Sequence, residues 1–209
     1  VCLVPKTLLF LMSESRNGPG VRLGIIGLGR GFMLTLPSLL AHPDITLFAA
    51  CSSRSDARKR FEDDFGGIAY ADYDAMLGNA DVDAVYVATP HELHMEHTVA
   101  ALEAGKCVLL EKPMAISLEQ ATVIVDASKT YGKTVIVGPS HSFDPAVGEA
   151  LQLIKTDDFG KVKIVQSAYH TNFMYRPRRP EELDTKRGGG VIFSQGAHQF
   201  DIARMLAGG

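Results

Sequence analysis

One stretch limits the fold more than any other: Arg22-Leu23-Gly24-Ile25-Ile26-Gly27-Leu28-Gly29-Arg30-Gly31-Phe32. An apolar run ends in closely spaced glycines, and a helical pattern runs from Phe32 to Ala41. A buried parallel strand that turns sharply into a helix reads this way. Gly27 suits the tight turn, and Gly29 leaves bare backbone that a phosphate can approach. The helix N-terminus then offers N–H groups and a positive dipole end to a pyrophosphate. In the dinucleotide fingerprint the third glycine falls where this chain has Phe32, with Gly31 one place early. A plain turn is therefore the competing reading.

The rest of the chain repeats the pattern. Apolar runs at Ile45–Cys51, Ile68–Tyr70, Asp83–Ala88, Lys106–Leu110 and Thr134–Val137 alternate with helical stretches. The helices expected are one with Ala57, Phe61 and Phe65 on a single face, Tyr73–Leu77, about Glu92 to Glu103, and Leu118–Tyr131 capped by Ser117. This spacing predicts an α/β fold, a Rossmann doubly wound parallel sheet with ligands at the carboxyl ends of its strands. From Asp144 the rhythm changes. A helix to about Lys155, a long strand from Val162 to Tyr169, an Arg/Pro-rich loop, three glycines and an apolar helix from near Ser194 are expected. We divide the chain into a leader (1–20), a dinucleotide-binding domain (21–140) and an incomplete second domain (141–209). Met12 reads as a natural start, which makes residues 1–11 upstream sequence.

A net charge of −3 with 22% charged residues gives no nucleic-acid bias. The run Leu8–Met12 is too short to span a membrane. Cys2, Cys51 and Cys107 lack metal spacing, and the last two lie in strand-like runs, which suggests buried thiols in a reducing, cytoplasmic compartment.

Candidate chemistry gathers at the strand ends. After the second strand come Ser52, Ser53 and Arg54, with Arg58 a turn later, where an Asp or Glu would favour NAD. Hydroxyls and a guanidinium suit a 2′-phosphate, hence NADP, with NAD possible; a serine cap beside a solvated arginine is the alternative. Thr89 and Pro90 close the next strand, and His94 follows in the first turns, where it may face the cofactor. His91, His94 and His97 recur every three residues and drift off one helical face, so no metal is expected. Glu111-Lys112-Pro113 ends an apolar strand; Lys112 is either a base lowered by desolvation or a surface lysine. His198 opens an apolar helix, either as an acid/base or as a core histidine bonded to Asp201.

Taken together, Gly27-Leu28-Gly29-Arg30, Ala88-Thr89-Pro90 with His94, Glu111-Lys112-Pro113 and Gly189-Gly190 before His198-Gln199-Phe200-Asp201 resemble the Gfo/Idh/MocA family of oxidoreductases. The resemblance covers Val21 to the end. It implies a Rossmann domain and a C-terminal α/β domain with an open antiparallel sheet, often used for homo-oligomer contacts. It makes Gly27, Gly29, Arg30, Gly31, Phe32, Thr89, Pro90, His94, Glu111 and Lys112 cofactor-binding, with Lys112 and His198 catalytic. Where many members carry an aspartate four residues before that histidine, this chain has Ser194, and His141-Ser142 stand where many have arginines.

His141-Ser142-Phe143-Asp144, Tyr175-Arg176-Pro177-Arg178-Arg179-Pro180-Glu181-Glu182-Leu183 and Phe193-Ser194-Gln195 are most like members that oxidise dicarboxylated cis-dihydrodiols. The implied activity is hydride transfer from a cyclic alcohol or cis-diol to a nicotinamide. His141, Arg176, Arg178 and Arg179 would meet the substrate, the arginines through bidentate forks on carboxylates. A solvated basic loop partnered by Glu181 and Glu182 is the alternative. A sugar or polyol dehydrogenase or reductase of the same family, and a non-catalytic cofactor-binding fragment, stand as the other functional readings.

Overall fold

The computed structural model describes residues 20–208 apart from 157, 159 and 173. The leader expected at 1–19 lies outside the described residues. Six strands form one parallel sheet: β1 (Val21–Ile26), β2 (Ile45–Cys51), β3 (Ile68–Tyr70), β4 (Ala84–Val87), β5 (Cys107–Leu110) and β6 (Val135–Val137), in the order β3-β2-β1-β4-β5-β6. The order reverses between β1 and β4, and at that switch point a crevice opens beyond the strand ends. The helices between them are α1 (Arg30–Leu40), α2 (Ser55–Phe65), α3 (Tyr73–Leu77), α4 (His94–Glu103) and α5 (Leu118–Tyr131).

Burial explains the strand sequences. Every residue of β4 is buried, as expected for a central parallel strand covered on both faces. One apolar cluster, with Ile25, Leu39, Phe61 and Tyr86, fills one side of the sheet; a second, with Ile26, Met76, Val85 and Ile124, fills the other. Arg22 ties the start of β1 to the start of β4. Its backbone N–H and Nε donate to Asp83 Oδ2 at 2.9 and 3.1 Å, and Nη1 donates to Asp81 at 2.6 Å. This pin sits at the N-terminal edge of the sheet, opposite the site.

The helix ends obey their sequences. Ser117 Oγ accepts the Gln120 N–H at 3.2 Å to cap α5, and Gly132 stops that helix with a φ of 61°. The helix expected from Glu92 begins as a 3₁₀ turn, His91–Leu93, before α4 starts at His94.

The chain divides into two compact units, one reaching Gly138 and one starting at Pro139. In the second unit a 3₁₀ turn (Ser140–Phe143) precedes α6 (Pro145–Ile154), capped by the Asp144 carboxylate accepting the Ala146 N–H at 3.0 Å. A short α7 (Pro180–Leu183), a π-helical turn (Ile192–Gly196) and α8 (Ala197–Leu206) follow. The strand expected from Val162 to Tyr169 is not formed; that segment is largely exposed and pairs with no strand among the described residues. The physical reason is that a strand without a ladder partner gains nothing from extension. The apolar helix expected near Ser194 is two pieces, the π turn and then α8.

Candidate active site

The glycine turn is built as its sequence suggests. Gly27 has a φ of 102°, and a Cβ there would lie 2.7 Å from the Ala88 carbonyl oxygen and 3.0 Å from Thr89 Cγ2. Both the backbone angle and the space demand glycine. Gly29 is different: it is extended, nothing lies within 4 Å of its missing Cβ, and it opens α1. Among the described residues no side chain caps α1 and no acid sits in its first turn. Its leading N–H groups and dipole therefore face open space beyond the strand end, a cradle suited to a diphosphate.

The departure at the third fingerprint position has a structural explanation. Phe32 is buried in the core with its ring edge-on to Phe65, centroids 6.4 Å apart. At Gly31 a Cβ would make only ordinary contacts, 3.6 Å from Ala88 Cβ and 3.7 Å from Glu111 Cγ, so the space there does not demand glycine. Phe32 thus supports α1 from beneath.

At the end of β2, two arginines organise the loop. Arg58 Nη1 donates to the Ser52 and Ser53 carbonyls at 2.6 and 3.1 Å. Arg54 Nη2 reaches back to the Leu28 carbonyl in the glycine turn at 3.1 Å, and the Ser52 hydroxyl accepts the Arg54 N–H at 3.3 Å. The serine cap weighed as the alternative is not formed: the N-cap of α2 is Arg54, without a side-chain cap bond, and Ser52 turns the loop before it. This cluster fits a nucleotide bearing a 2′-phosphate. Arg30 lies in the first turn of α1.

Thr89 and Pro90 lie beyond β4, and two histidines of α4 bind the backbone and side chain there. Thr89 Oγ1 is 3.0 Å from His97 Nδ1, and Tyr73 packs edge-on to that ring. His94 is fully buried, with Nδ1 2.7 Å from the Pro113 carbonyl and Nε2 3.0 Å from the Thr89 carbonyl. The ring is neutral, so it donates to one of these two carbonyls and not to both. It contacts the two strand-end loops that carry Thr89 and Lys112. Among the described residues no group of three or more His, Cys, Asp or Glu could hold a metal ion.

Burial lowers the His94 pKa to about 4, against the two carbonyls, which pull it upward. Below pH 6.5 the unfolded chain takes up a proton that the folded chain refuses until about pH 4. His94 should thus cost the fold roughly 3 kcal/mol as pH falls through that window, and nothing above it. Urea unfolding of His94→Gln against the parent should show a smaller acid loss in the variant; equal losses would refute the assignment.

Glu111 and Lys112 end β5 beside the cradle. Desolvation holds the Lys112 ammonium below its ordinary pKa, with the Glu111 charge opposing. Lys112 is half-buried. Cys51, buried at the end of β2, has its thiol pushed up to about 11 by burial and is a packed, unreactive group.

In the second unit, the His141 and His198 rings stack 3.9 Å apart at 15°. His141 also meets Tyr169 at 5.6 Å. Asp201 pairs with Arg204 at 3.0 Å. Arg176, Arg178 and Arg179 converge on Glu182. Arg176 takes both carboxylate oxygens, Nη1 to Oε2 at 3.1 Å and Nη2 to Oε1. Arg178 Nη1 lies 3.4 Å from Oε1, and the Arg179 N–H donates to Oε2 at 3.0 Å. The Arg176 guanidinium holds the Glu182 carboxyl down to about 2. In the glycine run noted in the sequence, Gly189 leaves no room for a side chain: a Cβ there would lie 2.7 Å from the Glu181 carbonyl oxygen.

Strand order and glycine turn define a Rossmann-type dinucleotide-binding fold. Residues 21–139 match the description "Oxidoreductase family, NAD-binding Rossmann fold", and residues 147–209 match "GFO/IDH/MocA C-terminal domain". The chain belongs to the Gfo/Idh/MocA family. It is 44% identical over 190 residues to 1-carboxy-3-chloro-3,4-dihydroxycyclo hexa-1,5-diene dehydrogenase of Comamonas testosteroni, covering 90% of this chain and 48% of that protein. Its structure resembles that of a Bordetella bronchiseptica RB50 protein, with a TM-score of 0.85, 38% identity, and coverage of 90% of this chain and 50% of that one. It also resembles the 3-ketoreductase KijD10 of Actinomadura kijaniata in complex with NADP, with a TM-score of 0.62, 34% identity, and coverage of 68% and 46%. The chain spans about half the length of these relatives.

Proposed function

We propose that the protein transfers a hydride between NADP and a carboxylated cyclic cis-dihydrodiol. The observation that supports the substrate class is the gathering of three guanidiniums, those of Arg176, Arg178 and Arg179, in one loop around Glu182. Arg176 Nε is buried and lacks a hydrogen-bond partner, a donor in place for an anion. The name of the Comamonas relative, a carboxylated dihydroxycyclohexadiene, supports the same class.

The chain's own residues divide the work. Gly27, Gly29 and the start of α1 hold the diphosphate, and Arg54 with Ser52 and Ser53 holds the 2′-phosphate. Lys112, lowered by desolvation, takes the hydroxyl proton. When bound, the nicotinamide accepts the hydride from the carbon. The ketone so formed tautomerises to a catechol, and aromaticity draws the reaction forward. The arginines keep the ring carboxylate away from the reacting carbons.

Arg179, with an exposed side chain, can be removed without opening the core. Arg179→Ala should raise KM for a carboxylated cis-diol about tenfold and leave KM for the neutral cis-diol within about twofold. Steady-state NADPH formation with the two diols measures both. Equal changes for both would end the carboxylate assignment, and turnover only of neutral sugars or polyols would replace it with the sugar reading. We also propose a homo-oligomer, checked by light scattering, and a cytoplasmic setting in keeping with the free Cys51 and Cys107.

A further inference from the structure

Glu111 is held by groups from two other elements. Tyr86, 1% exposed in β4, places its hydroxyl 2.6 Å from Glu111 Oε1. Thr35 of α1 lies 3.0 Å from the Tyr86 hydroxyl and 3.4 Å from the same carboxylate oxygen. The other oxygen, Oε2, accepts the Lys112 backbone N–H at 3.2 Å. Packing alone does not ask for a tyrosine here, because a central parallel strand is served by aliphatic side chains. A buried phenol costs desolvation unless its O–H is used. Its position at the one carboxylate adjoining Lys112 gives it a use.

We propose that Tyr86 and Thr35 hold Glu111 as a positioning residue for Lys112, joining the dinucleotide-binding helix to the loop that carries the reactive amine. The phenol donates to Oε1, and the threonine hydroxyl completes the ring of partners. Oε2 then fixes the Lys112 backbone, while the carboxylate's charge acts on the ammonium against desolvation. Titratable groups facing this loop are Glu111 itself, Tyr86 from β4 and His94 from α4, the last through the Pro113 carbonyl.

The inference rests on Lys112 being the reactive amine, but its test needs no substrate. Acylation of Lys112 by an amine-directed anhydride, followed across pH by peptide mass spectrometry, gives a midpoint for that lysine. Glu111→Gln should move the midpoint to lower pH, since the opposing charge is gone. Tyr86→Phe should move it the same way by less, and Thr35→Ser should match the parent. NADPH affinity and the thermal midpoint of Tyr86→Phe should stay close to the parent's, affinity within about twofold. A midpoint unmoved in both Tyr86→Phe and Glu111→Gln overturns the proposal. So does a Tyr86→Phe variant in which thermal stability and NADPH affinity fall together, because that marks mere packing. Failure of the parent to bind NADPH would count against the dinucleotide reading instead.

Discussion

Gly27→Ala should abolish NADPH binding and destabilise the first unit by roughly 3 kcal/mol. Two independent obstacles add. The alanine must adopt a φ of 102°, and its methyl would sit 2.7 Å from the Ala88 carbonyl oxygen, which is rigid backbone. Relief requires moving the turn away from β4, and that turn is the proposed diphosphate cradle. Gly29→Ala separates the two effects. Its methyl meets nothing within 4 Å, so folding should be unchanged, yet the methyl would enter the space where a phosphate approaches. NADPH affinity should then fall about tenfold or more with no change in urea midpoint. Urea unfolding and NADPH fluorescence titration read both. Normal NADPH binding by Gly27→Ala would remove the cradle from the mechanism, and normal binding by Gly29→Ala would move the phosphate elsewhere.

Lys112→Met should reduce turnover of the diol about a thousandfold while NADPH affinity stays within a few-fold. Methionine keeps the length and apolar stem of the side chain and removes only the amine. Since desolvation already lowers the lysine, the parent's turnover should rise with pH as that amine loses its proton, and the variant should lose this limb. The sign follows from the base role: an ammonium cannot accept the hydroxyl proton. A pH–rate profile of kcat on both proteins measures it. A variant with parental kcat would take the role of base from Lys112.

Much of the first unit was legible from periodicity. The β2 and β3 boundaries and the capped α5 fall where apolar runs, Ser117 and Gly132 place them. Local signals suffice there because each parallel strand is covered on both faces and each helix end has its own cap. The segment 162–169 was misread for the converse reason. Its alternation of side chains is compatible with a strand, but a strand exists only through a partner, and pairing is not written in one segment.

Site residues split along the same line. Gly27, Gly29 and Lys112 were evident as positions at strand ends. The contacts of His94 with two loops and the stacking of His141 on His198 were not, since each depends on distances between residues far apart; the pairing of the arginine loop with Glu181 and Glu182 was foreseen, as the alternative to a substrate contact. Of the histidines spaced three apart, His94 contacts backbone carbonyls and His97 the Thr89 hydroxyl.

The amino-acid order alone determined the alternation of strand and helix, the glycine-rich crossover and the family, because these follow from local propensity and periodicity. Only the tertiary structure decided that Phe32 belongs to the core and that Tyr86 and Thr35 meet at Glu111. Those outcomes arise from the packing of α1 against β4 and β5, where burial makes each polar group find a partner, and no stretch of sequence contains both sides of that contact.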